Sequence, residues 1–268
     1  MEYLQQVKLW TGTAPFAEAD DADKTEHFDT DKGDGIRRLT DVTEPTITFY
    51  PASGKGPKPA VLVCPGGGYS ILAWNHEGRD ICSMLNLNGF SAFLLKYRCP
   101  GRRAAAHADA ARAMRLIRAN AAAWGIIPDK LGIIGFSAGG HLSATLCAPA
   151  DPVPYPAQDA ADELPYRPDF AALIYPAYLT KEETFEIQPE FRITSDTPPT
   201  LLIQAENDMI PVENSLIWYR ALKNAGVPAE MHLYADGGHG YGLLRSGNPI
   251  SCWGELAGNW FRRQAGIL

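Results

Sequence analysis

Apolar residues in this chain gather into short runs, and between the runs they recur at helical spacing. Runs at 46–50, 60–64, 91–97, 131–136, 170–175, 200–205 and 229–234 predict strands. The intervening segments 77–88, 107–124, 138–148, 212–225 and 250–263 predict helices. In 107–124, Ala110, Met114, Ile117 and Ala121 fall on one face, and Gly125 and Pro128 mark its end. Strands alternating with helices imply a mostly parallel sheet covered on both faces, so the expected fold class is α/β. Residues 1–44 read differently. Their 18–34 stretch is rich in Asp, Glu, Lys and Gly, and an arm lying over the surface is expected there, with 45–268 as a single domain. A Pro, Gly and Lys turn occupies 51–59. Segments 148–168 and 178–199 lack periodicity. They are placed at the carboxyl ends of the strands, where α/β sheets bind ligands, with Tyr178 and Phe185 as contacts. Plain surface loops with a core aromatic each are the competing expectation.

Within that scaffold, Gly135-Phe136-Ser137-Ala138-Gly139 stands between an apolar run and a helix. A serine on such a tight strand-to-helix turn presents its hydroxyl above the sheet. Helix capping is the plainer role for Ser137, and partners downstream weigh against it. The strand 200–204 leads into Ala205-Glu206-Asn207-Asp208, and the strand 230–234 leads into Gly237-Gly238-His239-Gly240. A hydroxyl is a weak nucleophile until an imidazole takes its proton, and that imidazole needs a carboxylate to hold its tautomer. Ser137, Asp208 and His239 are therefore the candidate triad. Glu206 competes for the acid, but the turn from Gln204 favours Asp208. Among the other histidines, His141 is expected to pack or hydrogen-bond beneath the site, and His232 lies inside a strand. His76 and His107 have no acid placed at a strand end, and His27 lies in the N-terminal arm. The strand 60–64 empties into Pro65-Gly66-Gly67-Gly68-Tyr69, where the amides of Gly67 and Gly68, with that of Ala138, would form an oxyanion hole. Tyr69 and Trp74 beside these glycines, with Tyr178, are candidate substrate contacts. Asp109 and Arg112 are expected to form an ion pair along their helix.

These words together resemble the α/β-hydrolase esterase/lipase family, and within it the acetyl and acetylxylan esterases. The resemblance runs through the chain: Leu9-Trp10, Pro65 to Tyr69, His76-Glu77-Gly78, Lys96-Tyr97-Arg98, Gly135 to His141, Val212-Glu213-Asn214-Ser215 and Gly237 to Gly240. It departs from the usual pattern at Asn207-Asp208, where relatives often carry paired acids, and at Cys64-Pro65, where a histidine more often precedes the glycines. The resemblance implies an α/β-hydrolase fold and a serine carboxylesterase. It would act through an acyl-enzyme, without a cofactor, on short acyl groups such as acetyl, carried by a carbohydrate such as xylan. An arylformamidase, amidase or peptidase of the same fold, or an inactive binding module, are the alternatives.

Composition narrows this further. The net charge of −7 over 268 residues argues against nucleic-acid and anionic-membrane partners and fits a neutral substrate; the small-molecule or oligosaccharide ester is what the resemblance implies, and the oligomeric state stays open. Five cysteines without metal-ligand spacing are expected to be buried free thiols; no metal site is expected. The first residues lack the features of a signal peptide, so a cytoplasmic protein is expected, or a secreted or periplasmic one had a leader been removed.

Overall fold

The apolar runs become strands of one eight-stranded sheet in a computed structural model that describes residues 5–152 and 155–267. In chain order the elements are β1 (Gln5–Lys8), β2 (His27–Phe28), β3 (Arg38–Thr40), β4 (Thr46–Tyr50), β5 (Lys58–Cys64), β6 (Leu72–Ala73), α1 (Asp80–Leu87) and β7 (Ser91–Lys96). There follow α2 (Arg103–Ala119), α3 (Ala121–Trp124), β8 (Ile126–Phe136), α4 (Ala138–Cys147), β9 (Ala171–Ile174) and β10 (Thr200–Ala205). The chain ends with α5 (Glu213–Asn224), β11 (Ala229–Tyr234) and α6 (Trp253–Ala265). The sheet order is β1-β4-β7-β5-β8-β9-β10-β11, parallel from β7 to β11, with β1 and β4 added antiparallel at one edge. β2, β3 and β6 form a separate small sheet.

Every residue of β7, β9 and β10 is buried, because helices cover both faces of a parallel sheet. Alternate residues serve opposite faces. Val61, Val63, Ile134, Phe136, Leu201 and Ile203 pack with Ile81 and Leu85 of α1 and Trp260 and Phe261 of α6. Their neighbours Leu62, Ile133 and Leu131 pack with Met114 and Ile117 of α2 and Leu142 of α4. α5 covers the remaining strands through Trp218 and Leu222.

Residues before β4 are built into this frame. β1 pairs with β4, Val7 opposite Ile47, and Leu9 and Trp10 are buried. The expected pair between Asp109 and Arg112 does not form. Asp109 faces inward and accepts from Arg98 Nε and Nη2, the Arg98 amide and Trp10 Nε1, at 2.7–3.2 Å. Burial pushes its carboxyl up, against the opposing pull of Arg98. Arg112 turns instead to Asp159 and Asp162. Adjacent turns of one helix can satisfy buried charges better across the core than along the helix. Cysteines 64, 82, 99 and 147 are buried free thiols; Cys252, just before α6, is exposed.

The segments after β5, β8, β10 and β11 all leave the carboxyl ends of parallel strands, which places residues 65–69, Ser137, Asp208 and His239 on one side of the sheet.

Candidate active site

Ser137 occupies the turn between β8 and α4 with φ 50° and ψ −117°, a conformation costly for a residue with a β-carbon. The flanking glycines make the turn sterically feasible. A β-carbon on Gly135 would lie 2.1 Å from the Gly139 carbonyl oxygen, and one on Gly139 would lie 2.1 Å from the Cys64 carbonyl oxygen. The turn is anchored by hydrogen bonds from the Ser137 amide to Ile174 O and from the Ala177 amide to Ser137 O.

His239 reaches across from the loop after β11. Its Nε2 lies 2.9 Å from Ser137 Oγ, and its Nδ1 lies 2.9 Å from Asp208 Oδ2 and 2.8 Å from Oδ1. A carboxylate facing Nδ1 fixes the proton there, which leaves Nε2 as the acceptor for the serine hydroxyl. The Asp208 side chain is fully buried and also accepts the Ile210 amide at 2.8 Å. Glu206 points outward; its amide donates to Tyr234 O. Sequence reasoning missed Asn207. Its Oδ1 accepts from the amides of Gly237 and Gly238 at 3.1 and 2.8 Å, tying the acid loop to the histidine loop.

A cleft of about 400 Å³ opens over this group, walled by Gly67, Gly68, Ser137, His239, Tyr178 and Ile210 among others. Among the described residues the Gly67 and Gly68 amides meet no acceptor in the chain. Ala138 begins α4, so its amide belongs to the free donors of a helix N-terminus. Of the aromatic residues expected to touch substrate, Tyr178 lines the cleft. Tyr69 and Trp74 do not. Tyr69 is buried with its hydroxyl 2.7 Å from His141 Nδ1, and Trp74 is half-buried against both faces of the core. Phe185 lines a smaller adjoining cavity of about 170 Å³ that shares Tyr178 and Ile210 with the cleft. The cleft also takes Ile36 and Arg38 from the segment before β4, which its acidic, aperiodic sequence gave no reason to place there.

His141, one turn into α4, is buried between Tyr69 and Glu190, with Nε2 2.6 Å from Glu190 Oε1. Burial drives its pKa down, and the hydrogen bond from His141 holds Glu190 below the usual carboxylate range. Beside it, burial and the proximity of His141 push His107 down to about 3. Among the described residues one group has metal-ligand spacing, Glu18, Asp20 and Asp21; it lies in the arm and is paired with Lys24 and Arg102.

A family model described as BD-FAE matches residues 48–153. The crystal structure of an acetyl ester-xyloside bifunctional hydrolase from Caldicellulosiruptor lactoaceticus superposes with a TM-score of 0.79 at 29% identity, over 98% of this chain and 97% of that one. The chain belongs to the α/β-hydrolase fold family. This α/β-hydrolase is also 33% identical, over 74% of its length, to an acetylxylan esterase of Xylanibacter ruminicola. It is 31% identical, over 73%, to an endo-1,4-β-xylanase B of Butyrivibrio fibrisolvens. It spans 43% and 34% of the lengths of those two curated relatives.

Proposed function

We propose that this α/β-hydrolase is a serine carboxylesterase that removes short acyl groups, acetyl foremost, from carbohydrate esters such as acetylated xylan. The observation that carries the reading is the run of hydrogen-bond distances from Ser137 Oγ to His239 to the buried Asp208, at the floor of a cleft edged by free glycine amides. In this reading Ser137 Oγ attacks the ester carbonyl as His239 Nε2 takes its proton. The negative charge on the carbonyl oxygen is met by the amides of Gly67, Gly68 and Ala138, and Asp208 steadies the imidazolium. Collapse expels the alcohol, which receives its proton from His239 and leaves an acyl-Ser137. Water, deprotonated by His239, attacks that ester in turn and frees the acid and the serine. No cofactor takes part.

The names of the similar proteins support the acyl group and the sugar. The cleft supports a small acyl group too, since beside Ser137 it is lined in part by Gly67, Gly68, Ile71 and Ala73 within about 400 Å³. The test is acetate release from acetylated xylo-oligosaccharides, run beside deformylation of N-formylkynurenine. Acetate release at a kcat/KM well above the formamidase rate is expected. The reverse preference would assign the chain to amide chemistry.

A further inference from the structure

Glu77 is a carboxylate with only 3% of its surface exposed, inside a protein where it forms no close salt bridge to Lys or Arg among the described residues. It sits on a π-helical turn, Asn75–Arg79, that also buries His76. A single wider turn in a helix re-aims side chains that an α-helix would send elsewhere, and such turns recur at functional sites. Here it sends both residues toward the catalytic loops. Glu77 Oε2 accepts the amide of Gly66 at 2.8 Å, the residue just before the two glycines of the oxyanion loop. Its Oε1 accepts the Tyr175 hydroxyl at 2.8 Å. The Tyr175 oxygen accepts the amide of Gly242 at 3.1 Å, in the loop that carries His239, and the Tyr175 ring stands edge-on to the His239 ring at 5.0 Å. His76 Nε2 lies 3.2 Å from the Gly240 carbonyl, a second grip on the same loop. Tyr175 itself takes φ 39°, a strained backbone held just beyond β9.

We infer that Glu77 is a positioning residue that holds the oxyanion loop and the histidine loop in register through Gly66 and Tyr175. The inference rests on the esterase reading above. A carboxylate suits the task because both oxygens accept at once, so one rigid group satisfies donors from two loops. The oxyanion donors act only if they stand at hydrogen-bond distance from the charge that develops in the transition state. Loss of Glu77 would therefore weaken the chemical step and leave ground-state binding nearly as it was. Removing one oxyanion donor typically costs about a hundredfold or more in kcat, and a displacement of about 1 Å in a reacting group costs a similar factor.

The experiment compares Glu77→Ala, Glu77→Gln, Tyr175→Phe and Ser137→Ala on p-nitrophenyl acetate, reading kcat and KM separately. Glu77→Ala should lose about a hundredfold in kcat with KM within about threefold, as expected for an interaction realised in the transition state. Glu77→Gln should stay within about tenfold of wild type, since its oxygen still accepts the Gly66 amide and its nitrogen still links to the Tyr175 oxygen, now as donor, at the cost of leaving the Tyr175 hydroxyl proton without Glu77 as acceptor. Tyr175→Phe, which cuts only the link to the histidine loop, should fall between them. A merely structural role would lower the amount of folded protein without this order in kcat per active site, counted by fluorophosphonate titration. If Glu77→Ala does not fold, the other two decide: wild-type kcat in Tyr175→Phe, or a Glu77→Gln as slow as Tyr175→Phe or slower, overturns the inference. So does an unchanged kcat in Glu77→Ala beside an inactive Ser137→Ala. An active Ser137→Ala is a distinct result, because it removes the esterase reading itself.

Discussion

A serine hydroxyl and an imidazole 2.9 Å apart are useful only while the imidazole keeps its acceptor nitrogen toward the serine, and Asp208 secures that. Asp208→Asn preserves the shape but lets the amide favour the wrong tautomer, so kcat should fall by about 10⁴. Glu206→Gln should change it by less than about twofold, since that side chain points to solvent. Steady-state kinetics on p-nitrophenyl acetate check both, and equal losses would mean that Asp208 is not the orienting acid. These positions were visible in the sequence because each follows a strand within a few residues, in a turn or glycine-rich loop whose local pattern marks it. Glu77, Asn207 and Ile36 were not. Their roles depend on partners far along the chain, such as Tyr175 for Glu77, 98 positions away, and Gly238 for Asn207, 31 positions away. No local spacing encodes such a pair.

Elements follow the same division. The main-sheet strands and the long helices from β4 onward were legible because burial writes nearly continuous apolar runs into most of them; β8 starts five residues before the expected 131, and the expected helix 107–124 is divided into α2 and the short α3. Short β1 and the small sheet were illegible: Gln5–Lys8 is polar and mostly exposed, and it is held by backbone pairing to β4 rather than by apolar contact. The ion pair assigned along α2 failed for a related reason, since helical spacing cannot report what faces the helix across the core. Asp109, fully buried, binds Arg98 and through Trp10 the start of the chain. Asp109→Ala leaves the Arg98 guanidinium without its partner, and loss of one member of a buried pair costs about 3–5 kcal/mol. At this chain length that corresponds to a melting temperature about 10 °C lower. Differential scanning calorimetry should find the loss, while kcat per folded molecule stays near wild type. A melting temperature unchanged by Asp109→Ala would mean that the pair adds nothing to stability.

At the scale of the whole molecule, two properties follow from what is buried. The folded-state pKa of His107 is about 3 against an ordinary 6.5, because burial disfavours its charged form. The unfolded chain therefore takes up that proton first. Stability contributed by the neutral ring is intact above about pH 6.5 and drains away as the pH falls toward 3, with a slope of at most about 1.4 kcal/mol per pH unit for one proton. Denaturant melts from pH 7 to pH 4 should show this decline, and His107→Gln should flatten part of it; an equal decline in the variant would place the acid sensitivity elsewhere. No helix among the described residues is long and apolar enough to cross a membrane, and the net charge of −7 gives anionic lipid no attraction. With a small cleft, this predicts kcat/KM highest for acetyl esters and falling beyond butyryl, since each poorly held methylene costs about 1 kcal/mol or more. Rates that climb from acetate to octanoate would point to a different acyl pocket. In the proposed reaction everything turns on Ser137 carrying the acyl group. The most direct measurement is kcat for p-nitrophenyl acetate in Ser137→Ala, with the labelled residue mapped in wild type after fluorophosphonate treatment. A loss of about 10⁶ in kcat and a single adduct on Ser137 are expected. A variant that keeps more than about a tenth of the wild-type kcat, or an adduct on another residue, would contradict that role for Ser137.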